Sequence, residues 1–308
     1  VEEVGISFWD QITAPIYLGA LVVLSLYFKR LAERSFEHYF LGGRIITSAI
    51  LTGTFLATLA SAATVVGIPG RAYTTGIAVV IFNMTMMNVI RTGMIWWAPV
   101  ARRIFPSDLF TMPDIALHFY ERGGQIVSAL LVIIQQIARI GAQVLGIGFL
   151  INFMFGIDII PASIIGVAVS VAYVFLAGYW TVAITDVIQA LVIAYMAALA
   201  FIVGFWQIGG WQGILDAHGA AGQQLHIIWH SGLHWTEIAR MAIISVGLYA
   251  SAYQIQRWMS ARSPGQTQFS QQLHLFIHQL WMTCTGTIGL MAVYFVGTDI
   301  HGDTAIYE

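Results

Sequence analysis

The chain is organised by long apolar runs separated by short polar gaps. Read in order, the runs are Ile12 to Phe28, Ile45 to Ile68, Gly76 to Val100, Gln125 to Phe155, Ile159 to Leu176, Val187 to Trp206, Ile238 to Tyr253 and Leu275 to Val296. Crossing a hydrocarbon core takes about 20 helical residues, and these runs reach or approach that length. Strict alternation of apolar and polar residues is absent, which argues against an outer-membrane barrel. The pattern therefore predicts an all-α transmembrane protein of about eight helices, with no soluble domain left over.

Composition agrees with the pattern: 58% of the residues are hydrophobic and 9% charged. Soluble domains carry roughly a quarter charged residues, so this supply cannot build a water-facing surface. The net charge of −2 says little about partners. In membrane proteins it is the placement of Lys and Arg that sets orientation. With the N-terminus outside, the inner gaps hold Lys29, Arg30, Arg34, Arg44, Arg102, Arg103, Arg122, Arg257 and Arg262, whereas the outer gaps hold Arg71. The expected topology thus has both ends outside, in a cell inner (plasma) membrane. Arg240 falls just within the seventh run.

The first run follows an acidic leader without a small-residue cleavage site and reads as a retained span. The single cysteine, Cys284, lies in the eighth run, so no intrachain disulfide is available. A chain that begins at Val1 and stops at Glu308 in an expected outer loop reads as an N-terminal fragment.

Ionisable groups inside spans are costly and need a reason. Arg91, toward the inner end of the third run, reads as a snorkelling side chain. Arg139 lies midway along the run Gln125 to Phe155, about 20 Å from either end at 1.5 Å per residue, too far to snorkel. Gln135, Gln136 and Gln143 fall at helical spacing around it, so one face of this helix is polar in mid-membrane. The planar guanidinium fork suits a carboxylate. Asp186 opens the sixth run and has two readings, a helix cap or a cation ligand. The second run contains Ala57, Thr58, Ala60, Ser61, Ala62, Ala63 and Thr64, followed by Gly67-Ile68-Pro69-Gly70. Such residues permit either tight helix packing or an interrupted helix whose freed carbonyls bind a cation.

Between the sixth and seventh runs, a Trp-, Gly- and His-containing loop reads as interfacial. Its His226, His230 and His234 recur every four residues and are a weaker candidate for metal ligands. His274 and His278, also four apart, read as a packed or hydrogen-bonded pair.

Four segments carry a resemblance to a known family: His38 to Arg44, Ser61 to Tyr73, Gly178 to Gln189, and Gln256 to Ala261. In order and spacing they resemble the sodium:solute symporter family, which includes sodium-glucose, proline, pantothenate and sialic-acid transporters. That resemblance implies a LeuT-type inverted-repeat core, incomplete here. Residues 12–28 would be an extra N-terminal helix, 45–206 the first five-helix repeat and 238–296 the first two helices of the second, all in one transporter domain. It implies no enzyme activity, with sodium as the coupling ion and a small-molecule solute as the other ligand.

Carried over residue by residue, the sodium contacts resemble the carbonyls of Ala57 and Ala60 together with Asp186. The solute set is most similar to that of sialic-acid transporters and falls on Ser61, Thr64, Asn83, Arg139 and Ser251. Asn83 replaces a longer glutamine, and Leu59 stands where a further threonine is expected. His278 aligns with a lysine of some sugar-transporting members. The expected function is sodium-coupled import of a small, carboxylate-bearing solute. Alternatives are a sugar or other neutral-solute symporter of the same family, a symporter-like sensor module of a histidine kinase, or a membrane metalloenzyme using the histidine loop.

Overall fold

A computed structural model describes residues 7–65, 67–106, 108–220, 235–247 and 251–297. The regular elements among them are helical: α1 (Phe8–Ala32), α2 (Phe36–Leu41), α3 (Ser48–Leu59), α4 (Ala62–Val65), α5 (Gly67–Thr75), α6 (Ile77–Ile104), α7 (Met112–Phe155), α8 (Ile159–Gln207), α9 (Gly210–Ala220), α10 (Trp235–Gly247), α11 (Ala252–Ser260) and α12 (Pro264–Val296). A short 3-10 turn, Gly42–Arg44, follows α2. Among the described residues, Gln11–Arg30, Met112–Phe155, Gly178–Gln207 and Pro264–Val296 are helical stretches long and apolar enough to cross a membrane.

The apolar runs and the helices correspond, with instructive differences. Helix α1 overshoots its run at both ends, and α7 begins well before Gln125. The early start of α7 has a local cause: Thr111 accepts from the Asp114 N–H, Asp114 accepts from the Thr111 N–H, and a proline occupies the first turn. This reciprocal cap satisfies N–H groups that have no intrahelical acceptor. Helix α7 breaks at Glu121, whose φ is 58°. Ser263 caps α12 in a similar way by accepting from Gln266 N–H, with Pro264 behind it, so that helix begins earlier than the apolar run. The fifth and sixth runs form α8, which is interrupted at Gly178, with φ 56° and ψ −145°. A Cβ at Gly178 would stand 2.7 Å from the carbonyl oxygen of Tyr39, so both backbone conformation and space require glycine there.

Two runs depart from a continuous helix. The second becomes α3, α4 and α5, and the seventh is interrupted at Ser251, whose ψ of 134° is extended, directly before α11. In lipid, an interrupted backbone is tolerated where protein or a water-filled cavity lies against it.

The chain divides into two compact units: residues 1–46 with 105–185, and residues 47–104 with 186–308. In the first, Arg44 is buried and pairs with Glu37 at 2.8 Å while donating to the Leu109 carbonyl at 2.8 Å. Tyr39 donates to the Phe175 carbonyl at 3.2 Å. In the second, α12 is the central element and packs on α3, α5, α6 and α9. Ala72, Ile208, Ile214, Leu290 and Met291 form one apolar cluster there; Ile68, Trp281 and Met282 form another. Gly289 lets α12 approach α5 closely, since a Cβ there would lie 2.6 Å from the Pro69 Cα.

Candidate functional site

Two adjoining features of the second unit concentrate the chemistry: the break after α3, and a buried ion pair one turn before it. At the break, Ala60 N–H still bonds to Leu56 O at 2.9 Å, the last regular helical bond. The next donors leave the helical pattern. Ser61 N–H turns to Leu59 O at 2.9 Å and Thr64 N–H turns to Ser61 O at 2.9 Å. In an unbroken helix those two N–H groups would bond to the carbonyls four residues earlier, those of Ala57 and Ala60. Both carbonyls are thus relieved of their helical donors, the arrangement that a cation-binding broken helix requires.

The Thr64 hydroxyl closes the break. Its oxygen lies 2.7 Å from Leu59 O and 2.9 Å from Ser61 O, either of which can accept its proton, and it accepts from Ser61 N–H at 2.9 Å. Thr64 therefore works first on its own backbone.

One turn before the break, Thr54 and Thr58 share a face of α3 and meet Asp186 of α8 and Arg257 of α11. The Thr54 hydroxyl donates to Asp186 Oδ2. Arg257 donates from Nε to Thr54 Oγ1 at 3.0 Å, from Nη1 to the Tyr253 carbonyl at 3.1 Å, and from Nη2 both to Thr58 Oγ1 and to Asp186 Oδ2, the latter at 3.4 Å. The two charged side chains are 8% and 13% exposed, so the pair sits in a dry setting. Gly53 makes the helix contact possible: a Cβ there would fall 2.9 Å from the Val187 Cα.

Two sequence expectations are corrected here. Asp186 does not open a helix; it lies two turns beyond the Gly178 interruption, inside α8, and its carboxylate is engaged by Thr54 and Arg257, so it is no cap. Arg257, assigned by charge counting to an inner gap, is 7% exposed and carries the ion pair. Its only sequence signal was its place in the Gln256 to Ala261 segment, directly after a run that proves to be broken.

Arg91 is also corrected. It is 4% exposed rather than snorkelling, with Nη1 3.2 Å from both ring nitrogens of His278. Its partner lies on α12, where Gln271, His274, His278 and Trp281 form a buried stripe at helical spacing. His274 and His278 have ring centroids 5.6 Å apart, as expected of a packed pair.

The remaining expected site residues are dispersed. Ser251 is buried immediately before α11, where its carbonyl accepts from the N–H groups of Gln254 and Ile255, both at 3.1 Å. Asn83 lies on α6. Arg139 lies on α7, half-buried with Gln136 and Gln143 on one face, while Gln135 turns to the exposed side. Arg139 belongs to the first compact unit, and Ser61, Thr64, Asn83 and Ser251 to the second. His226, His230 and His234 lie outside the described residues.

The model of the sodium:solute symporter family matches residues 39–306. The chain belongs to this family. Among curated relatives, sodium/proline symporters of Staphylococcus aureus strains JH9 and NCTC 8325 are each 24% identical over 303 residues, covering 96% of this chain and 57% of their own length. A solved structure titled as the substrate-bound outward-open state of a sodium-coupled sialic acid symporter superposes with a TM-score of 0.74 at 18% identity. That match covers 94% of this chain and 66% of the other. The chain therefore has the fold of these transporters and spans about 57% of the length of the curated relatives it matches. It is a multi-pass membrane protein of a transporter family, built on the same helical plan.

Proposed function

We propose that the protein is a sodium-coupled symporter that imports a small, carboxylate-bearing organic solute across the plasma membrane. The observation that carries this reading is the interrupted helix α3–α4–α5, in which the N–H groups of Ser61 and Thr64 are diverted from the Ala57 and Ala60 carbonyls. Those carbonyls supply neutral oxygen ligands to sodium, and Asp186, bonded to Thr54 of the same helix α3 from the neighbouring α8, supplies the negative charge. Family membership supports sodium as the driving ion.

On the solute side, Ser61 and Asn83 are hydrogen-bonding residues, and Thr64 shapes the backbone that carries Ser61. Ser251 contributes at the second interrupted run. Arg139 receives the carboxylate of the solute as a planar fork, which an ammonium group cannot reproduce. The polar face around Arg139 supports this role, and an anionic cargo distinguishes the reading from import of a sugar or other neutral solute. The N-terminus lies outside, as the distribution of Lys and Arg favours. In the repeat plan, 45–206 is the first five-helix repeat and 238–296 begins the second.

The energy source is sufficient: one sodium ion entering down a potential of about 100 mV releases roughly 2.3 kcal/mol before its concentration gradient is added. A panel of radiolabelled monocarboxylates, sialic acids, amino acids and sugars, presented to the reconstituted protein in sodium or choline buffer, tests the proposal. Sodium-dependent accumulation of a carboxylate is expected. Equal uptake in choline, or accumulation of neutral sugars alone, refutes it.

A further inference from the structure

The Asp186 carboxylate presents one negative charge to two claimants. In the arrangement described, Oδ2 already accepts from the Thr54 hydroxyl and from Arg257 Nη2. A sodium ion at the same carboxylate makes the guanidinium redundant, and two cations on one carboxylate in a dry site repel each other. An Asp186 with neither cation is equally unfavourable, because an unpaired carboxylate within the membrane is costly.

We infer that Arg257 is a tethered counter-ion for Asp186, taking the carboxylate when sodium has left and yielding it when sodium binds. This rests on the reading of Asp186 as a sodium contact. Its consequence is that the unloaded carrier reorients with this site electrically neutral, so that Arg257 serves the return half of the transport cycle more than the loaded half.

The bond pattern fits such an exchange. Arg257 is anchored by groups other than Asp186: Nε on Thr54 Oγ1 at 3.0 Å, Nη1 on the Tyr253 carbonyl at 3.1 Å, and Nη2 on Thr58 Oγ1. The contact with Asp186, at 3.4 Å, is the longest of the set. Losing it leaves the guanidinium held by two threonines and its own helix, so sodium displaces one bond without expelling the side chain. Thr54 bridges both partners, donating to Asp186 while accepting from Arg257, which keeps the two charges within reach after they separate.

The test compares two transport modes of the full-length reconstituted carrier. Net uptake into solute-free liposomes requires the empty carrier to return; exchange, with sodium and solute on both sides, does not. Arg257→Gln is expected to lower net uptake about tenfold or more while exchange stays within about twofold of the parent. Arg257→Lys, which keeps a charge, is expected to restore part of the net uptake. Equal loss of both modes in Arg257→Gln, or unchanged net uptake, overturns the inference. If the glutamine variant fails to reach the membrane, the exchange-to-net ratio of Arg257→Lys decides, and a parental ratio overturns it. Asp186→Asn separates the two levels of the reading. Parental sodium dependence in that variant removes Asp186 as a sodium contact. Altered sodium dependence together with a parental exchange-to-net ratio in the Arg257 variants removes only the counter-ion role.

Discussion

Replacing Thr64 with valine removes a hydroxyl while keeping the branched shape, and the structure makes the consequence specific. The hydroxyl donates to Leu59 O or Ser61 O, at 2.7 and 2.9 Å, and accepts from Ser61 N–H at 2.9 Å. One donated and one accepted bond are lost. Ser61 N–H keeps its second acceptor, Leu59 O, at 2.9 Å, so the accepted bond is only partly missed. At about 0.5–1.5 kcal/mol for each hydrogen bond, the interrupted backbone loses about 1–2 kcal/mol of support. That backbone aims the Ala57 and Ala60 carbonyls, so the sodium concentration for half-maximal uptake should rise about 5- to 30-fold. Thr64→Ser restores the hydroxyl and should return most of the sodium affinity. Sodium titration of solute uptake at saturating solute is the assay. A Thr64→Val protein with parental sodium dependence and weakened solute affinity refutes the reasoning, since the hydroxyl would then serve the solute directly.

Other positions give sharper contrasts. Ser61→Ala should weaken solute binding by about 0.5–1.5 kcal/mol in calorimetry, with little change in sodium dependence, because the backbone rather than the side chain of Ser61 forms the break. Gly53→Ala forces a Cβ to within 2.9 Å of the Val187 Cα. Overpacking of this kind costs about 1–3 kcal/mol, so the detergent-solubilised protein should unfold at lower temperature and need more sodium for uptake; a parental melting curve would refute the close approach. Arg139→Lys should bind a carboxylate solute substantially more weakly, and Arg139→Gln should nearly abolish binding. Near-parental affinity in the glutamine variant would remove Arg139 from the solute site.

Much of the fold was legible because lipid imposes a single requirement, that each span satisfy its own backbone in an apolar run. The interrupted second helix was legible for a related reason: Ala57 to Thr64 and Gly67 to Gly70 combine small residues, hydroxyls and helix breakers where a simple span needs none. The interruption at Ser251 was not visible, since Ile238 to Tyr253 carries no comparable punctuation beyond Gly247. Charged residues misled wherever their partners were distant in sequence. Arg91 meets His278 and Arg257 meets Asp186, pairings made by α12 and α8 rather than by any neighbour along the chain. Counting cations in gaps treats every arginine as solvated, and by charge alone Arg257 is not distinguished from Arg262. Asp186 resembled a cap because apolar periodicity resumes after it, whereas the helix in fact begins earlier, beyond Gly178. Thr54 gives no signal in the sequence, and Thr58 reads only as one of the small and hydroxylic residues of its run, because a threonine inside an apolar helix ordinarily bonds back to its own turn, as Thr58 does to Thr54 O at 2.7 Å.

The central claim is that sodium and solute cross together through a site that includes Asp186. Its most direct test is radioactive sodium entry into proteoliposomes, measured with and without a transported carboxylate outside, in the parent and in Asp186→Asn. The account predicts that solute stimulates sodium entry in the parent and that this stimulation is lost or shifted to much higher sodium in the variant. Sodium entry indifferent to solute in the parent, or equal stimulation in Asp186→Asn, would contradict it.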